Sequence, residues 1–136
     1  MNTVVETIHQ VPLNQTLAEA LRTSRSILDL PDDWDDEGSP RFGEATWRRA
    51  TDFVKLAAVA FQQRFGVWIE PPRILPGPAG SIDLQWRTAE RELLINIPKR
   101  AEAPADYYGS GDAQDAVKGT LNTSLPNEWI LLWLTR

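Results

Sequence analysis

The spacing of apolar residues changes from a helical period to an alternating one partway along the chain. Seven apolar residues between 44 and 65 recur every three or four positions, as on one buried face of an α-helix. They are Ala50, Phe53, Val54, Ala57, Ala58, Phe61 and Phe65. From residue 82 apolar and polar residues alternate, as in a strand with one buried face. The alternating apolar residues are Ile82, Leu84, Trp86, Leu93, Ile95 and Ile97. Helices followed by strands predict an α+β domain.

Three helices are predicted. Thr16 and Glu19 have the spacing of a capping box, so the first helix should begin at Thr16 and end before Pro31. The long helix should run roughly over residues 44–65, with a glycine at position 66 as its C-terminal cap. Ser124 as a cap, followed by a proline, predicts a short C-terminal helix, and a buried strand is the alternative.

The strands should form a small antiparallel sheet on which the two N-terminal helices pack. The hairpin at 82–97 and weaker strands at 106–108 and 117–121 give about four strands. Four prolines between residues 68 and 80 favour an extended crossing with few ladder hydrogen bonds. Residues 1–12 are predicted to be a flexible arm and residues 13–136 a single domain.

Composition excludes several functions. A chain of 136 residues with 42% hydrophobic and 24% charged residues has the balance of a folded protein. The absence of cysteine rules out thiolate metal sites and cysteine nucleophiles. A net charge of -5 argues against direct nucleic-acid or membrane binding. Without a leader or a spanning apolar run, a cytoplasmic protein is predicted.

The apolar residues 129–134 could complete the core of the chain or form the interface of a homodimer.

The acidic stretch Leu-Pro-Asp-Asp-Trp-Asp-Asp-Glu-Gly-Ser-Pro at 30–40 allows two interpretations. In the first, it is a calcium loop with a glycine sixth and a glutamate twelfth. The ligands would then be Asp33, Asp35, Glu37 and Glu44. Pro40 and Arg41 count against calcium, because proline lacks the pairing amide and arginine adds a cation. In the second and favoured interpretation, the stretch is a structural turn that needs no cofactor.

Catalysis by the loop carboxylates is a further alternative. Asp32, Asp33, Asp35 and Asp36 could form carboxylate pairs for hydrolysis. Acid–base catalysis, however, needs environments that push the two pKa values apart, and an exposed loop does not supply them. His9 is the only histidine and falls in the predicted arm. The sequence therefore favours a protein that is not an enzyme.

The six tryptophans suggest a binding surface. Trp86, Trp129 and Trp133 have apolar neighbours and are predicted to be core, whereas the other three should be partly exposed. Exposed tryptophan is enriched at binding hot spots. The predicted partner-binding residues are Trp34, Asp35, Asp36, Glu37, Trp47 and Trp68. An acidic surface suits a basic partner, so we expect a non-catalytic binding or accessory protein, possible forms being an antitoxin or an immunity protein.

Three segments resemble a family of small uncharacterised bacterial proteins. They are Trp34-Asp35-x-x-Gly38-Ser39 before an amphipathic helix, Pro76-Gly-Pro-Ala-Gly80-Ser-Ile-Asp-Leu-Gln-Trp86, and Tyr107-Tyr108-Gly109. The family pattern is W-D-G-x-G-A, then a P-x-G-x-I-x-L-x-W strand, then a Y-Y-G turn. This chain departs from it with Asp36 in place of the usual glycine. The resemblance implies no catalytic residue and suggests that Trp34, Asp35 and Gly38 are part of the fold.

Overall fold

Helices and strands lie in two layers. The computed structural model describes residues 12–112 and 115–136, so the predicted arm, apart from Pro12, lies outside the described residues. The helices cover one face of a five-stranded sheet in the order β1-β2-β3-β4-β5, with every neighbouring pair antiparallel. The predicted α+β class is confirmed, with one strand more than expected.

The elements follow one another in the predicted order. The α-helices are α1 (Gln15–Thr23), α2 (Glu44–Phe65) and α3 (Glu128–Thr135). The strands are β1 (Arg73–Pro76), β2 (Ile82–Arg87), β3 (Glu92–Ile97), β4 (Ala105–Ser110) and β5 (Val117–Leu121). Two 3-10 helices, Ser24–Asp29 and Pro78–Gly80, also lie within the described residues.

The start of α1 differs from the sequence prediction. The capping residue is Asn14, whose Oδ1 accepts a hydrogen bond of 2.9 Å from the amide of Leu17. Thr16 lies inside the helix and is exposed. The capping box was wrong because Asn14 already has the extended backbone of a cap, two residues earlier.

Replacing Asn14 by alanine should lower the free energy of unfolding by about 1 kcal/mol, because an orphan amide of α1 loses its acceptor. Urea denaturation would measure the loss. The matched control is Thr16→Ala, which changes an exposed helical position and should cost less than about 0.5 kcal/mol. A larger loss in the threonine variant would place the cap at Thr16 after all.

The long helix α2 has the predicted bounds. Gly66 follows it with a φ of 77°, and its amide donates to the carbonyl of Gln62 at 2.8 Å. A left-handed residue is easiest for glycine, which explains this helix end. The C-terminal segment is a helix, as predicted, but Asn127 rather than Ser124 precedes its first turn.

The proline-rich segment contains a strand that the sequence prediction missed. Arg73 pairs with Gln85 and Pro76 with Ile82, so β1 forms the edge of the sheet beside β2. An edge strand bonds to a neighbour on one side only, so proline is tolerated there more readily than in a central strand. Prolines therefore did not prevent ladder pairing here.

The core lies between the helices and the inner face of the sheet. The inner-face residues are fully buried at Ile82, Leu84, Leu93, Ile95 and Ile97, and nearly so at Trp86. Trp133 is also buried, as predicted. The prediction that Trp129 is core is wrong, since 47% of it is exposed and its ring meets Tyr107 edge-on at 5.7 Å. In α3 the buried positions are taken by Ile130, Leu131, Trp133 and Leu134.

The C-terminal apolar residues therefore contribute mainly to the core of this chain.

Among the described residues, no helix combines the length and apolar character needed to cross a bilayer.

Candidate functional site

The acidic loop, residues 31–42, connects the first helical segment to α2 and is braced by its own carboxylates. Asp32 Oδ1 accepts from the amide of Arg41 at 2.9 Å, and Asp33 Oδ1 accepts from the amide of Gly38 at 2.6 Å. The amide of Asp33 donates in turn to the carbonyl of Ser39 at 2.7 Å. These bonds join the two ends of the loop and fix its course.

Asp35 supplies the innermost brace. Its Oδ1 accepts from the amides of Glu37 at 3.0 Å and Ser39 at 3.3 Å, and its Oδ2 accepts from the Ser39 hydroxyl at 2.5 Å. The bond from the Ser39 hydroxyl is the main reason that the pKa of Asp35 lies below its ordinary value, and the two amides add to it. Asp35 therefore stays ionised and acts as an acceptor within the turn.

The backbone of the loop is held in unusual conformations. Asp33, Asp36 and Gly38 have φ values of 58°, 59° and 79°. Left-handed backbone is uncommon for residues other than glycine, and aspartate and asparagine tolerate it best. The aspartates of the loop thus serve backbone geometry as well as charge.

Trp34 anchors the acidic loop to the core. Its ring lies 5.9 Å from the ring of the buried Phe42, and the side chain is only partly exposed. Its Nε1 is buried and has no hydrogen-bond partner among residues 12–112 and 115–136. The indole therefore packs inward, which leaves Asp36 and Glu37 as the exposed predicted binding residues of the loop.

The other two predicted binding tryptophans lie at opposite ends of α2. Trp47 is in its first turns, donates from Nε1 to Ser24 Oγ at 3.0 Å, and carries the Arg25 guanidinium 5.0 Å from its ring centre. Trp68 follows the far end of the helix, and a helix of this length spans roughly 30 Å. Trp47 is thus close to the acidic loop in the fold, whereas Trp68 belongs to a different region.

The predicted calcium ligands do not converge. Asp33 and Asp35 accept hydrogen bonds from loop amides, as described above. Glu44 accepts hydrogen bonds from Arg48 at 3.0 Å and from Arg25 at 3.4 Å. The bond and charge of Arg48, followed by those of Arg25, lower the pKa of Glu44. Within the described part of the chain, no three acidic or histidine side chains are grouped as a metal site.

A groove of about 830 Å³ lies near the end of β5. Arg49, Asp52, Thr120 and Asn122 are among its lining residues. The guanidinium of Arg49 is engaged within the protein, because it donates hydrogen bonds to Thr123 and to backbone carbonyls. Sequence reasoning missed this role, because nothing in the sequence distinguishes Arg49 from its neighbour Arg48.

A smaller cleft of about 400 Å³ lies near the far end of α2, around Trp68. The sequence pattern gave no sign of it beyond the apolar residues on either side of that tryptophan.

Comparison with known proteins found no matching family model, no matching curated protein and no matching solved structure. The fold defines the chain as a two-layer α+β protein with an all-antiparallel sheet. The resemblance to the bacterial family stays a prediction.

Proposed function

We propose that this chain is a non-catalytic binding protein whose acidic loop contacts a basic protein partner. The observation that carries the proposal is that only some of the loop carboxylates accept hydrogen bonds within the loop. Asp32, Asp33 and Asp35 accept hydrogen bonds that brace the loop. Asp36 and Glu37 are exposed, and within the described residues no side-chain hydrogen bond or ion pair engages them. Two charges are therefore presented on a fixed turn.

A braced turn favours binding because little ordering remains to be done when a partner arrives. Ordering loops and side chains is one of the main costs of association. In this loop the hydrogen bonds between carboxylates and backbone amides already hold the backbone that carries Asp36 and Glu37. Presentation of charge on a rigid element therefore supports a recognition role for the acidic loop.

The charge of the chain supports a basic partner. With a net charge of -5, the protein attracts cationic surfaces at long range, and exposed carboxylates add local complementarity. A nucleic-acid-acting protein or a toxin with a basic surface has the matching charge. An antitoxin or an immunity protein is the particular form of binding protein that we propose.

The pKa shifts of the carboxylates support catalysis less well than they support a binding role. Asp35, Glu44, Glu92 and Glu102 all have pKa values below the ordinary range, because hydroxyl, amide or cationic donors hold their charged forms. A general acid at neutral pH needs the opposite shift. Lowered pKa values suit carboxylates that accept hydrogen bonds or form ion pairs.

The proposal is tested by affinity capture of the tagged protein from its native cell, followed by mass spectrometry. Wild-type protein should retain a basic protein in stoichiometric amount. The variant Asp36→Asn with Glu37→Lys should reduce that capture at least about tenfold, as expected for reversing charge at an interface. Asparagine at position 36 keeps a residue that tolerates the left-handed φ of 59°.

The matched control is Asp106→Asn with Glu90→Lys, which makes the same change in net charge at exposed positions outside the loop. Capture by the control should equal that of the wild type. Raising the salt to 1 M should also weaken capture, since the Debye length falls to about 3 Å. Absence of any partner, or a partner retained equally by the loop variant, would show that the acidic loop is not a binding surface.

A further inference from the structure

The groove near the end of β5, which we call the β5 groove, is a second candidate site. Its walls come from α2, the segment before β4, the end of β5 and the turn that follows it. A volume of about 830 Å³ lies within the range of small-molecule sites. The lining offers hydroxyl and amide side chains from Thr120, Asn122, Thr123 and Ser124. Its aliphatic part includes Leu56, Pro104 and Leu121. The groove therefore suits a ligand that is partly polar and partly apolar.

Two carboxylates line the β5 groove, and each has a cation beside it. Asp52 Oδ1 lies 3.4 Å from Lys55 Nζ, and Glu102 Oε1 accepts a hydrogen bond from Arg100 Nε at 2.8 Å. The bond from Arg100 is the main reason that the pKa of Glu102 lies below its ordinary value. Such exposed pairs stabilise the fold little, but they balance the negative charges of the lining. The two carboxylates therefore add little net charge to the groove.

Arg49 is the third charged residue of the lining, and its charge is not balanced in this way. Within residues 12–112 and 115–136, no carboxylate lies at ion-pair distance from its guanidinium. The acceptors of its hydrogen bonds are a hydroxyl and two backbone carbonyls, which are all neutral. Desolvation lowers the pKa of Arg49, as expected for a cation withdrawn from water without a carboxylate beside it. Buried charges are usually paired, so an anion beside Arg49 would stabilise it.

The guanidinium of Arg49 also has N–H groups to spare. Arginine carries five N–H donors, and the bonds to Thr123, Arg100 and Ala103 use three of them. The bond from Nη1 to the Arg100 carbonyl is long, at 3.4 Å, and the side chain is only partly buried. Two donors therefore remain for an incoming acceptor, and a third is only weakly held. Guanidinium and carboxylate groups form some of the strongest hydrogen bonds in proteins.

We propose that the β5 groove binds a small organic carboxylate. The carboxylate oxygens accept hydrogen bonds from the Arg49 guanidinium and from the exposed hydroxyl groups of Thr120 and Ser124. The carbon skeleton of the ligand lies against the aliphatic part of the lining. A carboxylate fits better than a phosphate ester, because one unbalanced cation matches one negative charge. A second negative charge on the ligand would be repelled by Asp52 and Glu102.

Carboxylate binding in the β5 groove is independent of partner capture by the acidic loop. The residues described as lining the groove do not include any from the loop, residues 31–42. Carboxylate binding is measured on the isolated chain, whereas the loop is tested by capture of another protein. Either can therefore succeed or fail without the other.

The test titrates the full isotope-labelled chain with benzoate, benzyl alcohol and phenyl phosphate at neutral pH. Heteronuclear NMR follows the backbone amides and the Arg49 Nε–H group. We expect saturable shifts with benzoate at residues 120–124 and at Arg49, and a dissociation constant on the order of 1 mM, which is reasonable for a ligand of this size. Benzyl alcohol, which lacks the charge, should bind at least about fivefold more weakly. Phenyl phosphate should also bind more weakly than benzoate.

An added negative charge in the β5 groove should weaken benzoate binding. Ser124 lines the groove and is exposed, so Ser124→Glu should leave the fold intact and weaken binding at least about fivefold through repulsion. Ser26 is also exposed but does not line the groove, so Ser26→Glu is the control with the same change in net charge. Binding in that control should match the wild type.

Replacing the guanidinium itself tests its role directly. Arg49→Lys keeps the positive charge but loses the planar fork of donors, so benzoate should bind at least about threefold more weakly. If this variant fails to fold, the comparison of Ser124→Glu with Ser26→Glu still decides whether benzoate occupies the groove.

Three results would overturn the proposal. The first is that benzoate produces no saturable shifts at residues 120–124. The second is that benzyl alcohol or phenyl phosphate binds as tightly as benzoate, which would remove the preference for a single negative charge. The third is that Ser124→Glu and Ser26→Glu bind benzoate equally well, which would place the ligand outside the groove.

Discussion

Replacing Gly109 by alanine is expected to lower the free energy of unfolding by about 2–3 kcal/mol. A Cβ at this position would lie 2.6 Å from Cη2 and Cζ3 of Trp133 and 2.9 Å from Cγ2 of Val117. These separations are shorter than van der Waals contact, so something must move. Overpacking a well-filled core by one carbon typically costs this much. Chemical denaturation with urea would measure the loss.

The ring of Trp133 has little freedom to retreat from such a Cβ. Its Nε1 donates to Asp115 Oδ1 at 3.2 Å, and the Arg91 guanidinium lies 5.0 Å from the ring centre. Arg91 also bonds to Asp115 at 2.5 Å and to the backbone carbonyl of Trp133. The indole is thus held by Asp115 and Arg91. Strain from an added methyl group would be transmitted to both.

Gly119→Ala is the matched control, because it adds the same methyl group on the neighbouring strand. Its nearest contact would be Tyr107 Oη at 2.8 Å, the far end of a flexible side chain. Since Tyr107 is only partly buried, its ring can shift, and the cost should stay below about 1 kcal/mol. Equal losses in the two variants would mean that the fixed indole is not what excludes a side chain at Gly109.

Replacing Arg49 by methionine is expected to cost about 2–3 kcal/mol. The guanidinium joins α2 to the segments before β4 and after β5. It donates from Nε to Thr123 Oγ1 at 2.9 Å and from Nη2 to the Ala103 carbonyl at 2.6 Å. Partial burial lowers the pKa of Arg49, because desolvation disfavours the charged form. Methionine keeps most of the apolar stem but leaves these acceptors unpaired. Hydrogen bonds from charged donors typically contribute this much.

The neighbouring Arg48→Met provides the comparison for Arg49. Arg48 is 65% exposed and pairs with Glu44 at 3.0 Å on the helix surface. Exposed ion pairs within one helix contribute little, so the loss should be about 0.5 kcal/mol or less. Both variants remove one positive charge from α2, and both are measured by thermal and urea unfolding. Similar losses would indicate a general effect of charge rather than the specific bonds of Arg49.

Local sequence predicted some features of the acidic loop and not others. The turn chemistry of Asp33, Asp35 and Gly38 followed from residue type, because aspartate and glycine satisfy turn amides and left-handed backbone. Which carboxylates stay free of hydrogen bonds did not follow, since that depends on bonds formed between residues up to nine positions apart. The positions of Trp34 in the loop and of Trp68 beyond the far end of α2 did not follow either, because placement on the surface is a property of the fold.

Some local predictions failed where two signals competed. Asn14 and Thr16 are both good helix caps, and only the path of the chain into α1 selects Asn14. Prolines argued against ladder pairing, yet β1 pairs with β2 at the edge of the sheet. Trp129 is followed by a run of apolar residues, but the orientation of α3 leaves it exposed. For β1 and Trp129 the missing information was the position of a distant element.

The sequence by itself determined most of the secondary structure and the class of fold, because hydrophobic period and glycine caps are local. The bounds of α2, the hairpin of β2 and β3, and the later strands all followed from such patterns. The tertiary structure decided the Arg49 contacts, the close fit of Gly109 to Trp133, and the cleft around Trp86. These features join residues far apart in the chain, and packing and desolvation act only once the layers have assembled.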